Sequence, residues 1–456
     1  MDEPQPISRL ARLTHHAWLS PDQWRRRLLF WSGAVLAGLA AIVFAKASTF
    51  VYAQFVNLIH HSRYWPLLVT PVVFGLLSWL TSGAMRAARG SGIPQAIAAI
   101  KVEDDGFRQR MLSLRVSFGK MALTLAALAA GASVGREGPT VHVSAGILYS
   151  LGRRFGFSDA EAASRFILAG GAAGIAAAFN TPLAGVVFAI EEMAGAYEHR
   201  MSGVVLTAVI IAGVVSLGVL GDYSYFGKID SVLPLSRSWL AVLLCGGVCG
   251  LGGGIFARLI LLDGARVFVH LAELRTRWPL SFAATCGLAL ALLGLASGST
   301  VYGTGYDQAH AILQGATTAP SDAFGVLKFA ANVVSYWAGI PGGIFSPALA
   351  VGAGLGHNIS ALVPGADPSA VVLLGMAGYL AGVTQAPLTS AIISMELTNN
   401  QEMVIPILAV CLLARAASSL VCRVPVYKAF AQRLGDEFER QRAAPQTGSM
   451  QKEGTT

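Results

Sequence analysis

Three short breaks in an otherwise apolar chain have the composition of an anion site: Gly90-Ser91-Gly92-Ile93-Pro94, Gly135-Arg136-Glu137-Gly138-Pro139 and Gly342-Gly343-Ile344-Phe345-Ser346-Pro347. In each, Gly lets the backbone approach closely, and Pro suits the first turn of a new helix. A helix N-terminus presents unpaired N–H groups and a partial positive charge. Several such ends meeting inside a membrane hold a dehydrated anion without burying a Lys or Arg charge. Close-packing glycines and kink prolines are the alternative for any one break. Three breaks together with an internal repeat favour the anion site.

Glu137 stands at the start of one of these helices, between Arg136 and Gly138. A carboxylate there competes for the anion's place. Once protonated it loses its attraction to the amides and swings away, so one side chain can be both gate and proton carrier. A capping or ion-paired glutamate is the alternative. Glu191 and Glu192 end an apolar half-helix and point to different faces. A charge at the bilayer centre costs about 2.5–3.5 kcal/mol on insertion scales, so each must be shielded, paired or protonatable, or else mark the membrane's edge. Tyr427, in the break 424–427, carries a hydroxyl that can donate to an anion, or else belongs to an interfacial aromatic belt.

Other chemistry has no visible residues. The 9 His are scattered without metal-ligand spacing, and the 5 Cys (Cys245, Cys249, Cys286, Cys411, Cys422) lie in or beside apolar runs as small buried hydrophobes. The sequence has no Walker-type phosphate loop, GxSxG or HExxH motif, so neither an enzyme nor a bound metal or cofactor is expected.

The elements that must position these groups are set by composition. Of 456 residues 54% are hydrophobic, 51 are Gly and only 13% are charged, about half the charged share of a soluble domain. This excludes a disordered chain, an ordinary nucleic-acid-binding domain and a disulfide-built scaffold. The net charge is +8, and basic residues stand at both ends, with Arg9, Arg12 and Arg25–Arg27 before the first long run and Arg423, Lys428, Arg433, Arg440, Arg442 and Lys452 after the last. By the positive-inside rule both termini face the cytoplasm, and the number of full crossings is even. Runs 28–45, 67–79, 201–220, 240–262, 280–296 and 404–421 can cross a bilayer. The pieces 121–134, 140–151, 166–178, 183–190, 346–355, 371–383 and 387–395 are each too short, and read as half-helices. The N-terminal stretch lacks the features of a cleavable signal.

The chain also repeats. Gly171, Ala173 and Gly174 match Gly375, Ala377 and Gly378 at an offset of 204; Pro182, Leu183 and Glu191 match Pro387, Leu388 and Glu396 at 205; Pro139 matches Pro347 at 208. Interrupted helices at matching places in two halves point to a transporter with its site at the repeat interface. The expected organisation is a cytoplasmic segment 1–27, membrane repeats 28–220 and 221–430, and a short polar cytoplasmic tail 431–456.

Taken together, GSGIP at 90–94, GREGP at 135–139, GGIFSP at 342–347, EEM at 191–193 and the late Tyr427 resemble the ClC family of chloride channels and proton-coupled chloride antiporters. The resemblance covers roughly residues 28–430. It implies an all-α polytopic membrane protein of two inverted-topology repeats of tilted and re-entrant helices, assembled as a homodimer. Chloride would be held by the Ser91 and Tyr427 hydroxyls and the amides of Ile344 and Phe345. Glu137 matches the gating glutamate, and Glu192 the internal proton-transfer glutamate that antiporters usually keep, so chloride/proton exchange is expected, with a passive channel as the alternative. Ser91 favours chloride over nitrate, and GSGIP argues against the fluoride-exporting branch. Two positions depart from the family pattern: Gln95, where many relatives have Glu, and Ser346, where Ala is common and a hydroxyl is added near the anion. Too few residues follow Tyr427 for the cytoplasmic nucleotide-binding pair of eukaryotic members, which leads to the expectation of a bacterial inner-membrane protein.

Overall fold

The computed structural model describes residues 21–157, 159–194, 202–221, 224–261 and 266–443. The expectations for the lead before residue 21 (Arg9, Arg12 and His15-His16 included) and for the tail from residue 444 onward lie outside the described residues. Within them the fold is all-α, and extended pairing is confined to two isolated bridges, Gly90 to Pro341 and Gly135 to Gly343. Both bridges join one break to another.

Among the described residues, 7 helices are long and apolar enough to cross a membrane: Arg27–His61, Asp105–Ala129, Ala160–Phe179, Gly203–Leu220, Arg237–Leu261, Pro279–Ala296 and Val404–Val421. Two differ from the sequence expectation. The run 166–178 read as too short, but its helix starts earlier, at Ala160, because the Asp159 carboxylate accepts from the Ala162 amide at 3.1 Å. Such an N-cap adds a polar first turn that an apolar count leaves out. The run 121–134 likewise lies in a longer helical stretch whose first half is polar. Conversely, 67–79 becomes a helix of 17 residues, Pro66–Ser82.

The half-helices are short where the breaks demand it. Phe345–Ser360 has 16 residues and Ile93–Lys101 has 9. At 1.5 Å per residue these reach about 24 Å and 14 Å, short of the ~30 Å hydrocarbon layer. Their ends therefore fall inside it, shielded by protein. The helix Pro368–Thr384 is buried on every face from Ala370 to Thr384, as a helix that is apolar all round must be. After Tyr427 the chain is not an irregular tail: Val426–Ala443 is a helix packed on Ile93–Lys101, burying Val426, Tyr427 and Ala431.

The two halves build matching parts. Ala160–Phe179 ends on Asn180 (φ 57°) and Pro368–Thr384 on Gln385 (φ 59°), both left-handed, and a Pro opens the next helix two residues later in each case. Asn tolerates that region; Gln tolerates it less, and here its side chain is held by the Cys422 carbonyl at 2.5 Å. Across the interface the Glu191 carboxylate accepts from the amides of Leu388 (3.2 Å) and Thr389 (2.7 Å), while Glu396 accepts from those of Leu183 (3.1 Å) and Ala184 (2.6 Å). Reciprocal contacts of this kind are what a two-fold relation between repeats produces.

Candidate anion and proton site

The three breaks converge. Gly135 and Gly343 exchange backbone hydrogen bonds, each 2.7 Å, and the Gly342 amide donates to the Gly90 carbonyl at 3.3 Å. This close meeting depends on the absence of side chains. Gly92 caps the helix Ile93–Lys101 at φ 106°, and a Cβ there would lie 2.7 Å from that of His142. A Cβ on Gly138 would lie 2.8 Å from the Ser91 carbonyl oxygen. Either substitution would push the first two breaks apart.

Glu137 opens the helix Glu137–Arg154 and is fully buried. Its carboxylate crosses to the next break, where the Ser346 hydroxyl donates to Oε1 at 2.5 Å and the Ser346 amide approaches Oε2 at 3.5 Å. It therefore sits at the N-terminus of Phe345–Ser360, the position open to an anion. Arg136 does not pair with it. That guanidinium turns away, donating to the Ala45 carbonyl at 2.8 Å. The ion-paired reading of Glu137 is absent among the described residues. Capping is present, but of a neighbouring helix rather than its own. Ser346, expected to add a hydroxyl near the anion, donates it to the Glu137 carboxylate.

Ile344 is the N-cap of Phe345–Ser360 and Phe345 its first residue, so both amides belong to the turn that has no intrahelical acceptor. Ser91 and Tyr427 are each 1% exposed, and neither hydroxyl has a protein partner. The Tyr427 ring lies parallel to that of Phe345, centroids 6.4 Å apart. Tyr427 is close enough to Ser91, Glu192 and Glu137 to interact with each. Its burial rules out a place in an aromatic belt. Glu192 is 2% exposed, its Oε1 has no protein partner, and it lies on a π-helical turn, Ala189–Ala194; such turns are frequent at functional positions. Lys101 and Lys428 are the cations near it. Adjacent Glu191 has a different task, the reciprocal cap described above. Gln95, the other departure, donates to the carbonyls of Arg89 (2.7 Å) and Ala87 (3.3 Å) and so shapes the approach to the first break.

Three groups escaped the sequence reading. Lys328 is fully buried, its ammonium donating to the carbonyls of Val301 (2.8 Å) and Gly303 (2.7 Å) and to the Ser133 hydroxyl (2.8 Å). Lys120, also buried, approaches the carbonyls of Gly90 (3.2 Å) and Arg89 (3.4 Å). The two are 208 residues apart, the offset that pairs Pro139 with Pro347, so the repeat held the signal. Asn332 extends the network by donating to the Pro347 carbonyl at 3.1 Å. The third group is Tyr225, a buried tyrosine on a loop with no motif to flag it, whose ring packs against Phe179 and Tyr306.

The arrangement collects helix ends, two buried hydroxyls without a protein partner and a seated carboxylate, and nearby a second buried carboxylate. It can hold a small dehydrated anion and pass protons. The family model described as voltage gated chloride channel matches residues 73–419. The chain is 31% identical over 441 residues to the H(+)/Cl(-) exchange transporter ClcA of Cronobacter sakazakii, with 91% of each covered. In fold it is similar to a slow cyanobacterial Cl-/H+ antiporter (TM-score 0.76, 22% identity, 91% of this chain and 98% of that one). It is similar also to a CLC-type fluoride/proton antiporter (TM-score 0.74, 24% identity, 93% and 99%). At these identities the two structures speak to fold alone.

Proposed function

The chain belongs to the voltage-gated chloride channel family, the ClC family its motifs resemble, and on that premise we propose that it exchanges chloride for protons across a membrane. The observation that carries this reading is the seat of Glu137, a buried carboxylate held by Ser346 at the N-terminus of Phe345–Ser360. Ionised, it occupies an anion's place; protonated, it gives up its charge and the place becomes free. Each exchange of Glu137 for chloride thus moves a proton, which is coupling by competition rather than by a passive pore. The exchange activity of the C. sakazakii relative supports the same direction.

Chloride is bound by the hydroxyls of Ser91 and Tyr427 and the amides of Ile344 and Phe345. Glu192 takes the inner proton, with Lys101 and Lys428 as the cations near it. Ser91 and GSGIP favour chloride over nitrate and fluoride. The repeats 28–220 and 221–430 meet at the site, and two chains form a homodimer. The half-exposed Leu183 and Leu388, beside the reciprocal caps, support that apolar face. The basic ends support cytoplasmic termini, and the bacterial relative supports a bacterial inner-membrane setting.

Reconstituted wild-type protein tests the proposal. In proteoliposomes an inward chloride gradient should drive protons uphill, and the reversal potential should move with a pH gradient. A reversal potential that ignores the pH gradient makes the protein a channel and ends the exchange reading.

A further inference from the structure

A cavity of about 660 Å³ lies between the first break and the C-terminal helix, with Ser91 on its wall. At ~30 Å³ per water it has room for roughly twenty, far more than a halide requires, and it falls in the range of organic-ligand pockets. Five arginines line it, Arg86, Arg89, Arg110, Arg275 and Arg433, against one carboxylate, Glu437. That carboxylate pairs with Arg86 at 2.7 Å. Arg433 donates to the Leu261 carbonyl at 2.8 Å, and Arg110 lies over the Phe438 ring at 4.8 Å. Arg89 and Arg275 both line the cavity, and the buried Nε of Arg275 has no acceptor. Between them the cavity offers guanidinium donors without a carboxylate of their own. The Tyr336 and Phe430 rings, centroids 5.7 Å apart, form an adjoining wall.

We propose that this cavity binds a phosphate-bearing organic anion. Its phosphate bridges Arg89 and Arg275, its flat apolar part lies against Tyr336 and Phe430, and its presence closes the path to Ser91. Guanidinium forks match phosphate oxygens two at a time, which a single halide cannot do. Aromatic walls add affinity for a flat ring. The closure rests on the proposed chloride pathway; the binding does not. The phosphate can belong to a soluble metabolite or to a lipid headgroup, since Leu274 and Trp278 stand exposed beside Arg275 as interfacial residues do.

The probe is 1-naphthyl phosphate, titrated by fluorescence onto the purified full chain at constant ionic strength. Saturable binding is expected, at least tenfold tighter than inorganic phosphate and at least tenfold weaker in the double variant R89Q/R275Q. Because that variant removes two buried charges, Y336L serves as a second arm: it should weaken the naphthyl compound and leave inorganic phosphate unchanged. Chloride flux in proteoliposomes separates the sources. Inhibition by the soluble probe from the C-terminal-helix side identifies a soluble ligand, and inhibition only by vesicles containing phosphatidic acid identifies a headgroup. No saturable binding together with no inhibition by either, or binding indifferent to all three substitutions, overturns the site. Flux without proton coupling, with binding intact, overturns the exchange reading and leaves the site standing.

Discussion

The periphery of the repeat interface and its centre follow opposite rules. At the periphery, related residues do the same thing on both sides: Asn180 and Gln385 end helices, Lys120 and Lys328 hold backbone carbonyls, and Glu191 and Glu396 cap each other's partner helices. At the centre the offset of 208 still pairs Gly135 with Gly343 and Pro139 with Pro347, but it pairs Glu137 with Phe345 and Gly138 with Ser346. The backbones stay symmetric, each Gly donating to the other at 2.7 Å. The side chains do not. One repeat brings a carboxylate; the other brings a bare helix end and a hydroxyl to receive it. Symmetry builds the frame, and its local loss seats a carboxylate of one repeat at a helix end of the other.

If the broken symmetry is the working part, removing it has the largest effect. Glu137→Gln keeps size and burial but cannot carry a proton, so coupled proton flux in proteoliposomes should vanish while chloride still passes. Proton pumping by that variant would return Glu137 to the frame. Next comes the lysine pair. Lys328→Met strips three close acceptors of their donor in a dry interior, and should cost about 3 kcal/mol of stability. Lys120→Met should cost roughly half that, because its two contacts are longer, 3.2 and 3.4 Å. Thermal unfolding in detergent compares them; equal losses would mean that the contact lengths do not set the cost.

The division between frame and centre also decides what was legible in the sequence. The breaks, the repeat and Glu137 were readable because Gly and Pro recurring in matched order, and a carboxylate between apolar runs, are choices that backbone geometry or charge explains. The helix Ala160–Phe179 was cut short because Asp159 and the polar first turn carry no apolar signal. The lysines were missed because a charge in an apolar run was counted as scarcity rather than placed in the repeat. Tyr225 was beyond reach, since its burial depends on a loop folding back onto Phe179 and Tyr306. Glu191 and Glu192 look alike in sequence, and only their different helix faces separate a cap from a buried carboxylate lacking a partner.

Ser346 lies on the boundary, because Gly138 is its counterpart and the hydroxyl belongs to one repeat alone. A hydrogen bond to a charged acceptor is worth about 1.5–3 kcal/mol, all of it spent on keeping the ionised gate in place. Ser346→Ala should release Glu137 more readily and raise chloride turnover by about tenfold, the lower end of that range, with the chloride-to-proton ratio unchanged. Stopped-flow chloride efflux beside a pH electrode reads both. A slower variant would assign the hydroxyl to the chloride rather than to the gate.

The smallest effect tests the frame. Glu191→Gln and Glu396→Gln each keep one carbonyl oxygen for a helix end and lose the charge that strengthens two amide contacts. A capping carboxylate is worth about 1 kcal/mol, and the contact lengths are close, 3.2 and 2.7 Å for Glu191 against 3.1 and 2.6 Å for Glu396. The two losses should therefore agree within about 0.5 kcal/mol, with proton coupling intact in both. Because the sites share an interface, the double variant should depart from the sum of the singles. A Glu191 variant that lost coupling while its Glu396 counterpart kept it would extend the asymmetric centre outward by one residue from Glu192 and shrink the frame accordingly.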